Sequence, residues 1–471
     1  MSVLASDGYK FRMAEAGWPL RQETFYYTHR RGGPHYLPID VKKYVRDLIL
    51  QISPTDADLG YLADSGYPMG GGFVRALTST PDMVKVDTLP KGSWFFDREP
   101  AFSVTGPSAL VSWLEPQLLM LNFRIQYATA LRLNPDSVKD MPATCTQQAA
   151  IMRDLQEEAL LVKFKIDVKS EAYFEHVLFK ARKLVGIVKD PSRIFEVGMR
   201  GVSCMDEHEL CLRACKAAGI FGTSNVFLAK KLKMTPIGTM GHEHVQRYGS
   251  DRAAFWAMVD RTAGASSFLL DTFSTLDSGI PAAYKIIQRQ PERNHSIRFD
   301  SGDKRSQYIY AVTMARGMKI EPLYILEDGF DDVMTQEFEE LRSLLKVPAN
   351  QQFYGYGGYL TSWDQQPLQR NVVAAVYKVT ISGDQPTMKF SEGKDSIPGI
   401  PLLARPASPQ GSKIIGLVFQ QGETIPSHFI QVTGVVTPHH YTTQNVKNFV
   451  PERPQYSAET QKLVDELRSR R

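Results

Sequence analysis

The chain has little of three things that would define its class. It contains only four cysteines in 471 residues and carries a net charge of +4, and no apolar run approaches the roughly 20 residues needed to cross a bilayer. These absences argue against a disulfide framework, a membrane span and a broad basic face for nucleic acid. The N-terminus has neither a basic start nor a long apolar stretch, which argues against a secretory signal. We therefore predict a reduced, cytoplasmic protein with no membrane or nucleic-acid partner.

Three of the cysteines lie close together in the sequence and could suggest a metal site. Cys204, Cys211 and Cys215 have His208 among them. Their spacing does not match the C-x-x-C pairs of structural zinc sites, and helical cysteines are most often small buried apolar side chains. We predict that this cluster is structural.

The length suits two or three domains, and the sequence pattern changes twice along the chain. Residues 1–148 mix strand-like and helical segments, with a long helix predicted over 109–133. Residues 371–471 are β-rich at 372–382, 413–418 and 429–436, and end in a helix from 458. The two end segments could together form one discontinuous domain.

Residues 149–370 form the middle region, where helices alternate with short apolar strands. The predicted helices cover 148–163, 170–184, 206–218 and 251–260, and the predicted strands cover 194–197, 268–270, 296–299 and 323–326. This alternation favours a parallel α/β barrel. In such a barrel, chemistry takes place where strands end and their loops begin.

Polar residues follow the strand at 296–299. Asp300 and Asp303 flank Ser301 and Gly302. Such carboxylates can bind Mg²⁺ or ribose hydroxyls, and glycine lets the backbone approach a ligand closely. A turn that caps the next helix is an equally good interpretation.

Further polar clusters stand at other predicted strand ends. Gly-Thr-Ser-Asn at 222–225 includes Ser224 and suits phosphate or carboxylate, and His242 follows a glycine where an imidazole can act as acid, base or nucleophile. Arg200 fits bidentate binding of an anion, although in isolation a surface salt bridge is the preferred interpretation. Glycines 355, 357 and 358 are typical of a phosphate cradle or of a tight bend, and 327–329 is a weaker case. Together these clusters indicate Mg²⁺ and a phosphorylated, ribose-containing ligand.

Motifs along nearly the whole chain resemble, in order, those of the nicotinate phosphoribosyltransferase family, a branch of the nicotinate/nicotinamide (type II) phosphoribosyltransferases. The matching segments are 7–13, 27–30, 195–200, 222–225, 238–243, 270–272, 298–303, 376–378 and 389–399. The resemblance implies an irregular α/β barrel plus a discontinuous α/β sandwich built from both chain ends. It also implies a homodimer with shared active sites, in which Tyr9 enters the neighbouring site and stacks on the pyridine ring.

The resemblance also implies roles for individual residues. His242 matches the histidine that ATP phosphorylates, and Arg298, Asp271 and Asp300 are expected to act on the base, the ribose and Mg²⁺. The expected metal ligands are Asp271, Asp300 and Asp303. The expected substrate-binding residues are Tyr9, Arg30, Arg200, Ser224, Ser301, Gly302, Asp328, Gly329, Gly357 and Gly358.

The implied reaction belongs to NAD salvage and joins nicotinate to phosphoribosyl pyrophosphate, with ATP as co-substrate. Pyrophosphate leaves C1 of the ribose, oxocarbenium character develops, and the base nitrogen attacks without an enzyme nucleophile. Positioning, Mg²⁺ and cationic groups would supply the catalysis. A phosphohistidine would couple ATP hydrolysis to synthesis.

The choice of base depends on a few residues. The sister branch, which acts on nicotinamide, carries an aspartate where this chain has Ser224, and an aspartate would repel the carboxylate of nicotinate. We therefore favour nicotinate, although 200–203 and 327–331 resemble the nicotinamide branch. Val197 and Ser274 depart from the family pattern, where an aromatic residue and a second aspartate are usual.

Two rival classes are weaker. A non-catalytic relative should have lost its charged residues, yet His242, Asp271, Arg298 and Asp300 are present. Another phosphosugar barrel enzyme usually needs a strand-end lysine or an acid–base pair, and no strand-end lysine stands out.

Overall fold

The computed structural model describes residues 1–159, 163–262, 264–390, 394–407, 413–436, 446–447 and 450–469. Its N-terminal part is built of seven helices and five strands. The helices are α1 Gly8–Ala14, α2 Val41–Gln51, α3 Asp56–Asp64, α4 Gly71–Leu77, α5 Ser108–Trp113, α6 Glu115–Leu133 and α7 Thr146–Ala159. The strands are β1 Gln22–Thr28, β2 His35–Tyr36, β3 Lys85–Thr88, β4 Trp94–Phe95 and β5 Phe102–Pro107.

The middle part alternates strands and helices, as its sequence pattern predicts. The strands are β6 Ile194–Glu196, β7 Gly222–Thr223, β8 Thr235–Pro236, β9 Ser267–Leu269, β10 Ser296–Phe299, β11 Leu323–Leu326 and β12 Gln352–Tyr356. The helices are α8 Ser170–Val188, α9 Met205–Ala217, α10 Val226–Leu232, α11 His242–Tyr248, α12 Asp251–Arg261, α13 Ile280–Arg289, α14 Lys304–Met318, α15 Asp332–Leu344, α16 Gly358–Thr361 and α17 Arg370–Val373.

The C-terminal part is β-rich. Its described elements are β13 Val376–Ser382, β14 Gln385–Pro386, β15 Pro401–Pro406, β16 Lys413–Ile414, β17 Leu417–Gln420, β18 Phe429–Gln431, β19 Val450–Pro451, β20 Gln455–Tyr456 and α18 Ala458–Ser469. None of the described helices is long and apolar enough to cross a membrane.

Both chain ends contribute to one antiparallel sheet with the strand order β14-β13-β1-β5-β3. Strand β1 pairs with β5 on one side and with β13, some 350 residues later, on the other. Buried apolar residues such as Phe25, Val104 and Tyr377 pack into a core with α2, α5 and α6. Glu99 and Arg405 form a buried ion pair that also joins the two ends.

The middle strands form a curled, seven-stranded parallel sheet with the order β8-β7-β6-β12-β11-β10-β9. Strand residues Ile194, Phe268, Ile297 and Leu326 are buried in a second core with α8, α13 and α14. A mixed α/β fold with a barrel-like parallel sheet and a sandwich part built from both chain ends is therefore confirmed. The predicted boundaries 1–148, 149–370 and 371–471 stay predictions.

Four predicted elements differ from the structure. The strand predicted over 413–418 is divided into β16 and β17, and the strand predicted over 429–436 is shortened to β18. The other two differences have clear local reasons. The helix predicted over 109–133 is divided into α5 and α6, because Pro116 has no N–H to donate to the carbonyl four residues earlier. The strand predicted from 372 begins at Val376, because the short helix α17 precedes it and ends at Ala374, whose φ is +50°.

Candidate active site

One cavity of about 660 Å³ opens at the carboxyl ends of the parallel strands. Its barrel wall is made of loops that follow β6, β7, β8, β10, β11 and β12, as expected for a parallel α/β sheet. Its other wall comes from the sandwich part: Arg30 and Arg31 after β1, Glu115 on α6, residues 374 and 376–379 around β13, and Lys389 and Lys394. The cavity therefore lies between the two parts of one chain.

An imidazole and two carboxylates meet at one end of this cavity. His242 Nε2 lies 3.4 Å from Asp300 Oδ2 and 3.7 Å from Asp271 Oδ1, and its Nδ1 lies 3.0 Å from Thr272 Oγ1. Asp271 and Asp300 follow β9 and β10, which are neighbours in the sheet. Among the described residues, His242, Asp271 and Asp300 form a group whose ligand atoms all lie within 4.8 Å of one another, so they can hold a divalent cation.

Lys389 is a buried cation beside this cluster. Its Nζ lies 2.7 Å from His242 Nε2 and 3.9 Å from Asp271 Oδ2. Burial, and then the charge of Lys389, lower the pKa of His242 to about 4, so the imidazole is neutral at pH 7. In the sequence, Lys389 stands out only as part of the segment 389–399, which resembles a family motif. Residues 391–393 of that segment lie outside the described residues.

The turn after β10 contains a serine that is bonded to Asp271 and an aspartate that caps the next helix. Ser301 donates a short hydrogen bond to the Asp271 carboxylate. Gly302 has a φ of +81°, a conformation that favours glycine. Asp303 is exposed and caps α14, accepting hydrogen bonds from Ser306 N at 3.2 Å and Ser306 Oγ at 2.6 Å. The structure therefore does not bring Asp303 into the expected metal cluster, because its oxygens serve the free N–H groups of the helix start.

Arg298 lies on β10 and points its guanidinium into the cavity. It donates to Thr239 Oγ1 and lies 3.6 Å from Glu327 Oε2 and 3.7 Å from Asp300 Oδ1. Burial lowers its pKa, but these two carboxylates outweigh burial and raise it, so Arg298 stays charged. Its Nε is buried and has no hydrogen-bond partner among the described residues.

Another part of the cavity is built around Arg200. Its Nε lies 3.5 Å from Asp7 Oδ2 and its Nη1 lies 3.6 Å from Glu115 Oε1. Tyr9 donates a short hydrogen bond to Glu115, and Arg200 lies over the Tyr9 ring, 5.6 Å from its centroid. Tyr9 thus lies in the cavity of its own chain, whereas the resemblance implied entry into a neighbouring subunit.

The N-terminal segment fits against the barrel loops with almost no space. A Cβ at Gly8 would lie 1.9 Å from Ile237 O, and a Cβ at Gly238 would lie 2.3 Å from Gly8 C. Ser224 donates a hydrogen bond of 2.5 Å to Asp7 Oδ1. The Ser224 hydroxyl, which we expected to face a bound carboxylate, is therefore directed to a carboxylate of the chain itself.

The glycine turn after β12 lines the middle of the cavity. Gly357 precedes the short helix α16, whose first residue is Gly358. A Cβ at Gly358 would lie 2.2 Å from Asn371 Nδ2, and one at Gly355 would lie 2.5 Å from Glu327 Cγ. A side chain at either position would have to displace Asn371 or Glu327, so glycine is favoured there and leaves the backbone accessible to a ligand.

The loop after β11 meets residues of the sandwich part. Asp328 and Gly329 both have positive φ values, +55° and +82°. The Asp328 carboxylate lies 2.7 Å from Lys394 Nζ, and Arg30 Nη2 donates to the Lys394 carbonyl at 2.7 Å. Arg30, Asp328 and Gly329 are therefore brought together, as the sequence predicts for substrate contacts.

Two other cations, Lys378 on β13 and Arg370 on α17, also face the cavity. Burial lowers the pKa of Lys378 to about 7, although Glu115 opposes this shift. Burial also lowers the pKa of Arg370 to about 10. The sequence missed Arg370, and it included Lys378 only in a motif, because the strand pattern does not show which residues of β13 face the barrel.

The two departures from the family pattern have different surroundings. Val197 lines the cavity. Ser274 accepts a hydrogen bond from Asp277 N at 3.2 Å and caps a π-helical turn at Thr275–Gly279. Ser274 therefore serves the backbone of that turn.

Comparisons with known proteins agree with this geometry. Residues 192–383 match the profile of the nicotinate phosphoribosyltransferase (NAPRTase) family. A nicotinate phosphoribosyltransferase of Bacillus subtilis is 31% identical over 230 residues, which cover 46% of this chain and 44% of that protein. The human nicotinate phosphoribosyltransferase is 24% identical over 457 residues, which cover 90% of this chain and 80% of that protein. The similarity to the bacterial relative thus spans less than half of its length.

Solved structures show the same fold. The nicotinate phosphoribosyltransferase of Porphyromonas gingivalis matches with a TM-score of 0.59 and 18% identity, covering 84% of this chain and 95% of that one. The enzyme of Vibrio cholerae matches with a TM-score of 0.59 and 17% identity, covering 83% and 89%. The profile match includes Arg200, His242, Asp271, Arg298 and Asp300, which are the residues that the cavity brings together. The chain is therefore similar to nicotinate phosphoribosyltransferases in the sequence of residues 192–383 and in its fold.

Proposed function

We propose that the protein is a nicotinate phosphoribosyltransferase of NAD salvage. It would form nicotinate mononucleotide and pyrophosphate from nicotinate and phosphoribosyl pyrophosphate. The observation that carries this proposal is the cavity between barrel and sandwich. It combines two arginines with unsatisfied N–H groups, a carboxylate–imidazole cluster, a glycine turn and several lysines. Such a cavity suits a substrate pair with several negative charges.

The base would bind between the arginines. Arg200 Nε and Arg298 Nε both lack hydrogen-bond partners among the described residues, and a pyridine carboxylate could accept from either. Tyr9 offers its ring as a stacking surface near Arg200. These contacts support nicotinate as the base.

A specific observation favours nicotinamide as a second candidate. Asp7 is buried beside Ser224, and its Oδ2 has no hydrogen-bond partner among the described residues. An amide N–H could donate to this oxygen, whereas the carboxylate of nicotinate would be repelled by it. Burial raises the pKa of Asp7, and a protonated Asp7 would remove that repulsion.

Phosphoribosyl pyrophosphate would span the rest of the cavity. Backbone N–H groups at Gly357 and Gly358 would hold the 5-phosphate, and Arg30, Lys389 and Lys394 would face the pyrophosphate. As the bond from C1 to the pyrophosphate oxygen breaks, positive charge develops on the ribose and the pyridine nitrogen forms the new bond to C1. The lysines and arginines would stabilise the departing pyrophosphate in the water-poor cavity.

Asp271 and Asp300 fit a Mg²⁺ site, since both are carboxylates that face one point. His242 is a weaker ligand there, because its Nε2 faces Lys389 at 2.7 Å. Bound Mg²⁺ would neutralise charge on the pyrophosphate. The chain's own task is to orient the two carboxylates, which Ser301 does for Asp271 by its hydrogen bond.

ATP would act as co-substrate through His242. The neutral imidazole can attack the γ-phosphate of ATP, releasing ADP and leaving a phosphoryl group on nitrogen. Lys389 lies where its ammonium would pair with that phosphoryl group. Hydrolysis of the phosphohistidine after base transfer would couple ATP to synthesis.

For the assembly we propose a cytoplasmic homodimer, on the strength of the family resemblance. Sharing of the active sites is a separate matter, because Tyr9, Arg30 and Lys389 already reach the cavity of their own chain.

The test is mononucleotide formation from phosphoribosyl pyrophosphate and Mg²⁺, with nicotinate and nicotinamide offered in parallel, with and without ATP. We expect nicotinate to be the better substrate and ADP to form with it. In His242→Ala, the stimulation by ATP should disappear while a slow, ATP-independent transfer remains. Preferred turnover of nicotinamide would favour the second candidate, and turnover of neither base would refute the proposal.

A further inference from the structure

Three buried residues from three different segments form one hydrogen-bonded chain behind the base end of the cavity. His208 on α9 lies with its Nε2 3.0 Å from Glu196 Oε1 and its Nδ1 2.9 Å from Asn225 Nδ2. All three side chains are fully buried. None of them is among the described residues that line the cavity. The chain is therefore placed to hold the cavity wall from behind.

The hydrogen bonds define the state of the His208 ring. Asn225 uses its Oδ1 to accept from Leu228 N at 3.0 Å, as the N-cap of α10. Its Nδ2 must then face His208 and donate, so Nδ1 of the ring is an acceptor. The ring proton therefore lies on Nε2, where it is donated to the Glu196 carboxylate.

Glu196 and Asn225 in turn hold the two loops of the base end. Glu196 Oε1 also accepts from Gly198 N at 2.6 Å, and Oε2 accepts from Thr223 Oγ1 at 2.8 Å. Gly198 is two residues from Arg200, and Asn225 follows Ser224. Ser224 N donates to the Glu196 carbonyl at 3.0 Å. The positions of Arg200 and Ser224 thus depend on the buried hydrogen bonds among Glu196, His208 and Asn225.

We propose that His208 is a positioning residue for the pyridine base, acting through Glu196 and Asn225 on the loops that carry Arg200 and Ser224. The proposal rests on the proposed function. It assigns His208 to recognition of the base and not to binding of phosphoribosyl pyrophosphate, whose proposed contacts lie on other loops. It also gives a role to the histidine of the cysteine-rich segment, whose two ring nitrogens both make hydrogen bonds.

The test compares two substitutions with a matched control. His208→Phe keeps the ring volume and removes both hydrogen bonds, whereas His208→Gln can still donate to Glu196 and accept from Asn225. The control is His295→Phe: His295 is also buried, also accepts at Nδ1, from Ser266 N at 2.9 Å, and lies at the amino end of β10, away from the cavity.

We expect His208→Phe to raise KM for the base about tenfold, since one misplaced hydrogen bond to a charged group is enough for such a loss. KM for phosphoribosyl pyrophosphate should stay within about twofold, and His208→Gln should recover most of the loss. His295→Phe should destabilise the protein without changing either KM. Equal rises of both KM values, no rise for the base, or the same effect in the control would overturn the proposal.

A second measurement does not depend on turnover. In protein labelled with ¹⁵N-histidine, the His208 resonances should report a neutral ring protonated at Nε2. A ring protonated at Nδ1, or at both nitrogens, would contradict the hydrogen-bond chain. If the wild-type protein used neither base, the proposed function would fail. The resonances would still decide whether His208 forms its hydrogen bonds to Glu196 and Asn225.

Discussion

Replacing Lys10 by methionine removes one cation from the most heavily charged buried region of the protein. Its side chain is 2% exposed and lies 2.6 Å from Glu115 and 2.8 Å from Glu243, whose side chains are 4% and 8% exposed. Methionine fills a similar volume, so the loss is mainly electrostatic. Two carboxylates then stay buried with weaker compensation.

The size of the effect follows from what remains around each carboxylate. Breaking a buried ion pair from one side costs roughly 3–5 kcal/mol. Glu115 keeps Arg200 at 3.6 Å, and Glu243 keeps Arg247 at 3.5 Å. Because both of these ion-pair distances are 3.5 Å or more, the two arginines compensate for the loss of Lys10 only in part. We expect the free energy of unfolding to fall by about 3 kcal/mol at pH 7.5.

The effect should depend on pH in a defined direction. Burial raises the pKa values of Glu115 and Glu243, but Lys10 acting with Arg200 on Glu115 and with Arg247 on Glu243 outweighs burial, and both pKa values lie below the ordinary value of 4.5. Carboxylates with lowered pKa values stabilise the fold above pH 4.5, and this contribution is lost as the pH falls through their folded pKa values. Without Lys10, burial dominates and the carboxyls can protonate at higher pH. The difference between wild type and Lys10→Met should therefore be largest at pH 7–8 and shrink towards pH 4.

Urea unfolding followed by circular dichroism at pH 5 and pH 7.5 measures both quantities. The matched control is Lys43→Met, because Lys43 also forms a 2.8 Å ion pair but is 73% exposed, and we expect little change there. A loss below about 1 kcal/mol for Lys10→Met, or a loss that does not change with pH, would refute the reasoning.

Three further predictions follow from other contacts. Arg405→Ala leaves Glu99 buried without this partner and should lower the free energy of unfolding by about 3–5 kcal/mol in urea titrations. The control Arg468→Ala removes one partner of an exposed ion pair and should change the free energy of unfolding little. Equal effects of the two substitutions would contradict this prediction. Mixing inactive Tyr9→Ala and Asp300→Asn proteins under conditions that exchange subunits should restore no activity, because one chain supplies both residues to one cavity; recovery of activity would show that sites are shared. Burial raises the pKa of Asp251 to about 6, so its stabilising contribution is present below pH 3.8 and lost as the pH rises through 6. Asp251→Asn should raise the melting temperature at pH 8 and not at pH 4, and an equal change at both would contradict the shift.

Much of the site could be predicted because its residues follow short apolar strands. His242, Asp271, Arg298 and Asp300 stand directly after or within strands of one parallel sheet, and parallel strands bring their carboxyl ends to one edge. The local pattern of each strand is enough to place such residues at a common edge. The glycines at 355, 357 and 358 could be predicted for the same reason, because they stand within or directly after the strand β12.

The residues that sequence reasoning missed depend on contacts between distant segments. Lys389 meets His242 across 147 residues, and Lys10 meets Glu243 across 233. Asp303 was expected at the metal and is a helix cap, because a carboxylate three residues along the chain turns away once the helix begins. Spacing in the sequence describes the first turn of a helix but not the direction of each side chain.

The sandwich made of both ends was implied by the family resemblance, and it depends on the pairing of the distant strands β1 and β13. The sequence by itself determined the alternation of strands and helices and the polar residues that stand at the strand ends. These are local properties, set by apolar periodicity and by glycine and proline. Only the tertiary structure decided which cations face the cluster, that Tyr9 lies in its own chain's cavity, and that Ser224 is bound to Asp7. These depend on how the sandwich packs against the barrel, because the energy of a buried charge is set by neighbours that the chain brings together only when it folds.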